Sequence, residues 1–458
     1  MLRLRSIGVP VLALAMFSNS LLTARSISAP QQSGGSSPTC PAQPVTDVTN
    51  PDPPSDACVP GASQDTAFFD DFSWRMFVAL MWPAASGARG VPDRSARLDA
   101  TTGARVFETY KAEWEVFSGN PSDWDQYDQY TPCGLRPDNS ALILASNSKM
   151  GSLGQGGVGD LVNALPSRSG KWVLYQTAFN KVTYQQMKAE KLYDAPTLAS
   201  RKKSGPPIQI DVGGINVKAA WVEIPDSLER QKYYTRDAIV FDPVLDRCRE
   251  AMVSLVGMHI VTQTERSTPY WIWSTFEHVD NVPVATQLPM GFNNGNGEGL
   301  PKKDPNGGFP PKSWASPVLY NVERTNLITP STVSTNHNYQ VALPGVWQNY
   351  RLVMTHWPLD RDPSHLTTPQ RMTPTPGSAN IAANPVLETF LPKSTCMLCH
   401  SVAEKTNFIW ALETHVNAGA ATTESTESTK TFTVTPAIKE LRRILEEEIK
   451  RPRRPPSR

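Results

Sequence analysis

Proline recurs at about every eleventh position of this chain, 41 times in 458 residues. It has no amide hydrogen to give and its ring clashes with the turn before it, so long uninterrupted helices are excluded. Helical bundles and coiled coils go with them, and short elements joined by many loops are expected. Disorder throughout is excluded too, because 12 Trp and 15 Phe supply large faces to bury. The length suffices for two or three domains. Charge is balanced, 44 Lys and Arg against 43 Asp and Glu for a net +1. No nucleic acid is expected as partner, because phosphate binding needs a concentrated basic surface.

The N-terminus carries Arg3 and Arg5, an apolar run from Ile7 to Phe17, and then Ser18-Asn19-Ser20. This is the order of a secretory signal peptide. The run falls short of the roughly 20 residues that span a bilayer, and nothing later is longer, so no transmembrane span is expected. Cleavage near Ala24 or Ser28 makes residues 1–28 the signal peptide and the mature protein periplasmic. In an exported chain, Cys40, Cys58, Cys133 and Cys248 read as disulfide cysteines, with three pairings open.

Residues 29–64 are Pro- and Ser-rich and read as an extended linker that Cys40 or Cys58 can staple. A helix is expected over Asp65–Trp82, with Phe69, Phe72, Met76 and Leu80 near one stripe and Pro83 as its stop. Tyr110–Phe117 is a short aromatic segment with helical character. From Lys171 the pattern turns to period two, with strands over Trp172–Asn180, Ile208–Asp211, Asn216–Ile224 and Ala238–Phe241. Met252–Thr262 and Tyr270–Val279 read as a hairpin, and Tyr339–Leu343 and Trp347–His356 as a last strand pair. The fold class is α+β: a large domain (65–391) rich in antiparallel sheet, then a helical segment (392–417). Residues 418–458 read as a flexible tether and a charged amphipathic helix tail.

The helical segment contains Cys396-Met397-Leu398-Cys399-His400, a C-x-x-C-H sequence. Two thiols one helical turn apart can add across the two vinyl groups of one haem edge, and the adjacent His can then bind the iron. Composition gives such a pentapeptide a chance frequency of about one in a thousand. A thioredoxin-like pair wants a preceding apolar strand, which Leu391-Pro392-Lys393-Ser394-Thr395 is not. A zinc knuckle wants a second ligand pair at matching spacing. A plain disulfide leaves His400 idle. One covalent haem c held by Cys396, Cys399 and His400 is therefore expected. Its iron would exchange electrons with a redox partner protein or a small-molecule donor or acceptor.

The chain resembles exported bacterial proteins loosely called cytochrome c family proteins. The likeness lies in Phe72–Pro83, Gly257–Val261, Trp271–Asn281 and Glu388–His400, spread over residues 66–403. It implies one covalent haem in a large exported domain, with no settled activity.

Small cytochromes c take a distal Met from some tens of residues after the motif. No Met follows Met397 here, and His415, 15 positions after His400, stands about 22 Å away along a continuous helix. A sixth ligand would come from upstream. Met354 and His356 share a strand face and are the preferred candidates. His259 and His278 lie on opposite hairpin arms, and His337 and His365 in loops. Glu277 and His278, adjacent on a strand, should point to opposite faces. Trp271, Trp273 and Phe276 read as core. The expected function is that of a periplasmic monohaem c-type cytochrome that transfers electrons; the alternatives are a haem-dependent oxidoreductase with an open iron and a haem-based sensor or binding protein.

Overall fold

The computed structural model describes residues 40–61, 65–144, 165–242, 247–282, 289–307, 313, 315–324, 327–358 and 382–421. The expected signal peptide, the start of the Pro-rich lead, His365 and nearly all of the C-terminal tail lie outside the described residues. Residues from Cys40 onward cluster into one compact unit.

Helix α1 (Thr66–Met81) begins where the Asp65 carboxylate accepts a hydrogen bond from the Ala67 amide at 3.0 Å. That cap satisfies a donor the first turn leaves free, and Pro83 prevents continuation. Phe69, Phe72, Met76 and Leu80 are buried, and so are Trp74, Phe77 and Met81. The helix is enclosed on nearly every side.

The main sheet has eight strands: β1 (Lys111–Ala112), β2 (Leu142–Leu144), β3 (Val173–Phe179), β4 (Ile215–Val222), β5 (Thr235–Asp242), β6 (Arg247–Thr262), β7 (Ile272–His278) and β8 (Tyr350–His356). All neighbours are antiparallel except β2 and β5. Strand β6 is the spine. Ser254 pairs with Val222 of β4 on one edge and Thr235 of β5 on the other, and farther along that second edge β7 replaces β5. The class is α+β, as the period-two pattern predicts.

Tyr110–Phe117 contains one helical turn, α2 (Glu113–Val116), next to β1. Helices α3 (Lys181–Ala189) and α4 (Ala195–Ser204) lie between β3 and β4, each opened by a side-chain cap, Asn180 or Asp194. Two expected strands are corrected. Tyr339–Ala342 closes helix α5 (Pro330–Ala342), which starts with Pro330 in its first turn and Thr329 accepting from the Thr332 amide at 3.3 Å. His337 thus stands exposed on a helix, not in a loop. Ile208–Asp211 joins no ladder among the described residues: Ile208 and Ile210 are buried, but the Ile210 amide bonds to the Asn407 side chain at 3.0 Å.

The disulfides are Cys40–Cys58 and Cys133–Cys248. Such bonds persist in oxidising compartments outside the cytoplasm. Among the described residues no helix is long and apolar enough to cross a membrane.

One face of β7 and β8 meets α1. Ser73 Oγ lies 2.7 Å from Ser274 Oγ and 2.8 Å from Thr355 Oγ1, and Phe77 stacks on Phe276. The opposite face is covered by the segment that follows Ala382. Gly257 permits this approach, since a Cβ there would stand 2.6 Å from Val386 Cγ2. Tyr175 donates to the Val386 carbonyl at 2.8 Å, Asn384 Nδ2 to the Phe276 carbonyl at 2.7 Å, and Trp271 Nε1 to the Asn407 carbonyl at 2.9 Å.

Asp70 is buried against β8, its Oδ1 accepting from Thr355 Oγ1 at 2.7 Å. Burial pushes its carboxyl up to about 7 from an ordinary 3.8, against the hydrogen bonds of Thr355 and Thr332. The folded state thus binds one proton more than the unfolded between those values. Its stabilising contribution is complete below the ordinary value and is lost as pH rises to about 7. The slope there is up to about 1.4 kcal/mol per pH unit. Asp70→Asn is expected to flatten this loss, narrowing the difference between urea midpoints at pH 5 and pH 8 and raising stability at pH 8.

Candidate cofactor-attachment site

Helix α6 (Cys396–His400) places Cys396 and Cys399 one turn apart on the same side. Both thiols are free and half-buried. Burial pushes Cys399 up to about 12 and raises Cys396 too, with Glu388 adding to both rises. A catalytic dithiol requires the opposite shift, because the thiolate is the nucleophile. Among the described residues, no three His, Cys, Asp or Glu side chains converge as a metal site requires.

His400 Nδ1 lies 2.7 Å from the Phe408 carbonyl. A carbonyl only accepts, so Nδ1 carries the hydrogen and Nε2 keeps the lone pair that binds a metal. Burial lowers the imidazole to about 4, which keeps it neutral at pH 7. Two consecutive left-handed residues aim that carbonyl, Asn407 (φ 52°, ψ 41°) and Phe408 (φ 62°). This conformation costs a non-glycine residue about 1–2 kcal/mol. Hydrogen bonds hold Asn407 in place: Oδ1 from the Ile210 amide at 3.0 Å, Nδ2 to the Pro269 carbonyl at 3.1 Å, and its own carbonyl from Trp271 Nε1 at 2.9 Å. Helix α7 (Trp410–Ala421) follows. Its His415 stacks on Phe117 and bonds the Tyr193 carbonyl at 2.6 Å, so it is engaged elsewhere.

The sheet beneath α6 presents a row of side chains that are direct partners in register: Thr177 of β3, Lys218 of β4, His259 of β6, Thr275 of β7 and Met354 of β8. His259 is held between Thr275 Oγ1 and Glu388 Oε1, each at 2.8 Å. Glu388 Oε2 accepts from the Asn384 amide at 2.8 Å. Burial alone would raise the Glu388 carboxyl, but His259, the Asn384 amide and Lys218 hold it below its ordinary value. Burial lowers the Lys218 ammonium, against the pull of Glu388, Glu113 and Cys399.

Trp273 and His356 are the next partners on this face. The Trp273 ring lies 4.4 Å from the His400 ring, centroid to centroid. His356 Nε2 lies 2.9 Å from Met354 Sδ, and burial lowers that imidazole to about 4. Met354 and His356 thus share a buried face on the same side of the sheet as the motif. Among the described residues, Trp273 Nε1 and His356 Nδ1 are buried without a hydrogen-bond partner. Orphans of this kind cost about 1–3 kcal/mol each and suit a site completed by a bound group. A cleft lined by Arg324, Leu327, Met354, Pro385 and Glu388 lies beside the row.

Unpaired thiols one turn apart, an imidazole with its tautomer fixed, and unpaired buried polar atoms nearby fit a covalent haem. Of the other histidines, His259 belongs to this face, whereas His278 stacks on Tyr233 on the far side. Glu277 points to the same face as His259, opposite to His278 as alternation along β7 requires, and is met there by Arg351, at 2.7 Å, and Arg324. Trp271, Trp273 and Phe276 are buried core. Sequence reasoning missed Lys218 and Glu388. The available signals were a lysine inside a mostly apolar strand and a glutamate eight positions before the first motif cysteine.

Asn407→Ala removes the acceptor of a buried amide and the polar side chain that makes a left-handed conformation tolerable at a non-glycine residue. It is expected to destabilise the protein by about 2–4 kcal/mol in urea unfolding. Asn407→Gly, which keeps the backbone freedom, should lose less. No family model matches this chain, and neither a curated protein nor a solved structure shows significant similarity to it.

Proposed function

We propose that this protein is a periplasmic monohaem c-type cytochrome whose activity is electron transfer. Cys396 and Cys399 would hold one haem c by thioether bonds, and His400 Nε2 would be the proximal iron ligand. The observation that carries this reading is the pairing of two free thiols on α6 with an imidazole whose Nδ1 is tied to the Phe408 carbonyl. The disulfides and the signal-like N-terminus support export, which c-type attachment requires. When bound, a haem supplies a one-electron couple. The chain's own residues do the rest. His400 is kept neutral and oriented, Trp273 packs against its ring, and β8 offers Met354 or His356 as a sixth ligand.

A second reading, a haem-dependent oxidoreductase or sensor with an open iron, is favoured by the cleft beside Met354 and Glu388, which gives a small molecule a way to this face.

Protein produced in a host that matures c-type cytochromes is expected to keep its haem stain through SDS electrophoresis. The stain should vanish in the Cys396→Ala/Cys399→Ala double variant. Complete extraction of the haem by acid acetone would overturn the assignment. The ferric spectrum is expected to be six-coordinate and low-spin, with Met354→Ala or His356→Ala converting it to high-spin. A spectrum that is high-spin from the start, reactive with CO and unmoved by either change, would favour the open-iron reading.

A further inference from the structure

On the premise that haem c is bound through Cys396, Cys399 and His400, we propose that the polar row beneath α6, Lys218 and His259 with Glu388, sets the reduction potential of the iron. Register places Lys218 and His259 side by side across β4 and β6, and Glu388 reaches down to His259 from the covering segment. The row lies next to the motif: Trp273, two positions from Thr275 on the same face of β7, has its ring 4.4 Å from that of His400. Lys218, His259 and Glu388 are half-buried, where charges are screened less than on the surface.

Reduction of ferric to ferrous haem by one electron from a donor makes the centre more negative by one charge. A nearby carboxylate therefore favours the ferric form and an ammonium the ferrous form, and a hydrogen bond to the carboxylate weakens the carboxylate's effect. The surroundings limit what else could act there. Glu113 hydrogen-bonds Thr177, the partner of Lys218 on the side away from His259, Tyr175 lies under the Lys218 ammonium at 5.2 Å from its ring centroid, and Thr275 is neutral. A merely structural role for the His259–Glu388 pair would alter stability and leave the potential in place.

The test is a spectroelectrochemical titration of the holoprotein at fixed pH and ionic strength. Glu388→Gln is expected to shift the midpoint potential positive and Lys218→Met to shift it negative. His259→Asn, which leaves Glu388 without its partner, should also shift it negative, and it stands in where either other variant fails to fold. Glu388→Asp, which keeps the charge, should return the potential towards that of the unaltered protein. Asp52→Asn, at an exposed pair with Arg94 in the lead segment, serves as control and should leave the potential in place. Shifts of one common sign, or none, with the haem still staining on the gel, would overturn this inference alone. Loss of the stain from the unaltered protein would overturn the haem reading beneath it.

Discussion

Strand β6 has more neighbours than a single strand ordinarily serves, and the remaining architecture is arranged around that fact. It pairs with β4 along one edge, and with β5 and then β7 along the other. Because side chains alternate across a strand, this one register sorts the interior into two faces. Met258 and Ile260 are turned to the side of α1, while Gly257 and His259 are turned to the covering segment. A slip of one residue would send His259 into the apolar core and bring Met258 under the motif.

The covering segment is held to the sheet by polar contacts spaced along its length. Asn384, Glu388 and Asn407 each bond to a strand or to the loop beside one. Apolar packing by Val386 and Leu387 fills the space between. Directional bonds fix position where apolar contact alone would allow sliding. The motif helix is thus placed by residues on both sides of it, with its two cysteines left free between the anchors.

Charge is handled by local compensation. Glu277 has no solvent exposure and is met by Arg324 and Arg351. Glu115 is met by Arg89 at 3.0 Å, with Lys111 and Arg136 within 4 Å. Glu388 is met by His259 at 2.8 Å. An unpaired buried charge would be strongly destabilising, so each group exists only with its partners. The last of these clusters differs from the others in lying against free thiols and a neutral imidazole.

Some of this was legible in the chain itself. The first helix carries its own cap at Asp65 and its own stop at Pro83, and C-x-x-C-H is complete within five residues, so local chemistry sufficed for both. Local pattern misled at Tyr339–Leu343, where alternation resembled a strand and the stronger signal was Thr329-Pro330 ten residues earlier. It misled again at Ile208–Asp211, whose apolar residues are buried but whose amide is claimed by Asn407, nearly two hundred positions away. Sequence by itself determined the element types outside those two segments, the motif and the shared face of Met354 and His356, because period and spacing are properties of neighbouring residues. Only the tertiary structure decided the disulfide pairing, the row from Thr177 to Met354 and the placement of Glu388 over His259. Strand register and long-range hydrogen bonds join residues that no local pattern connects.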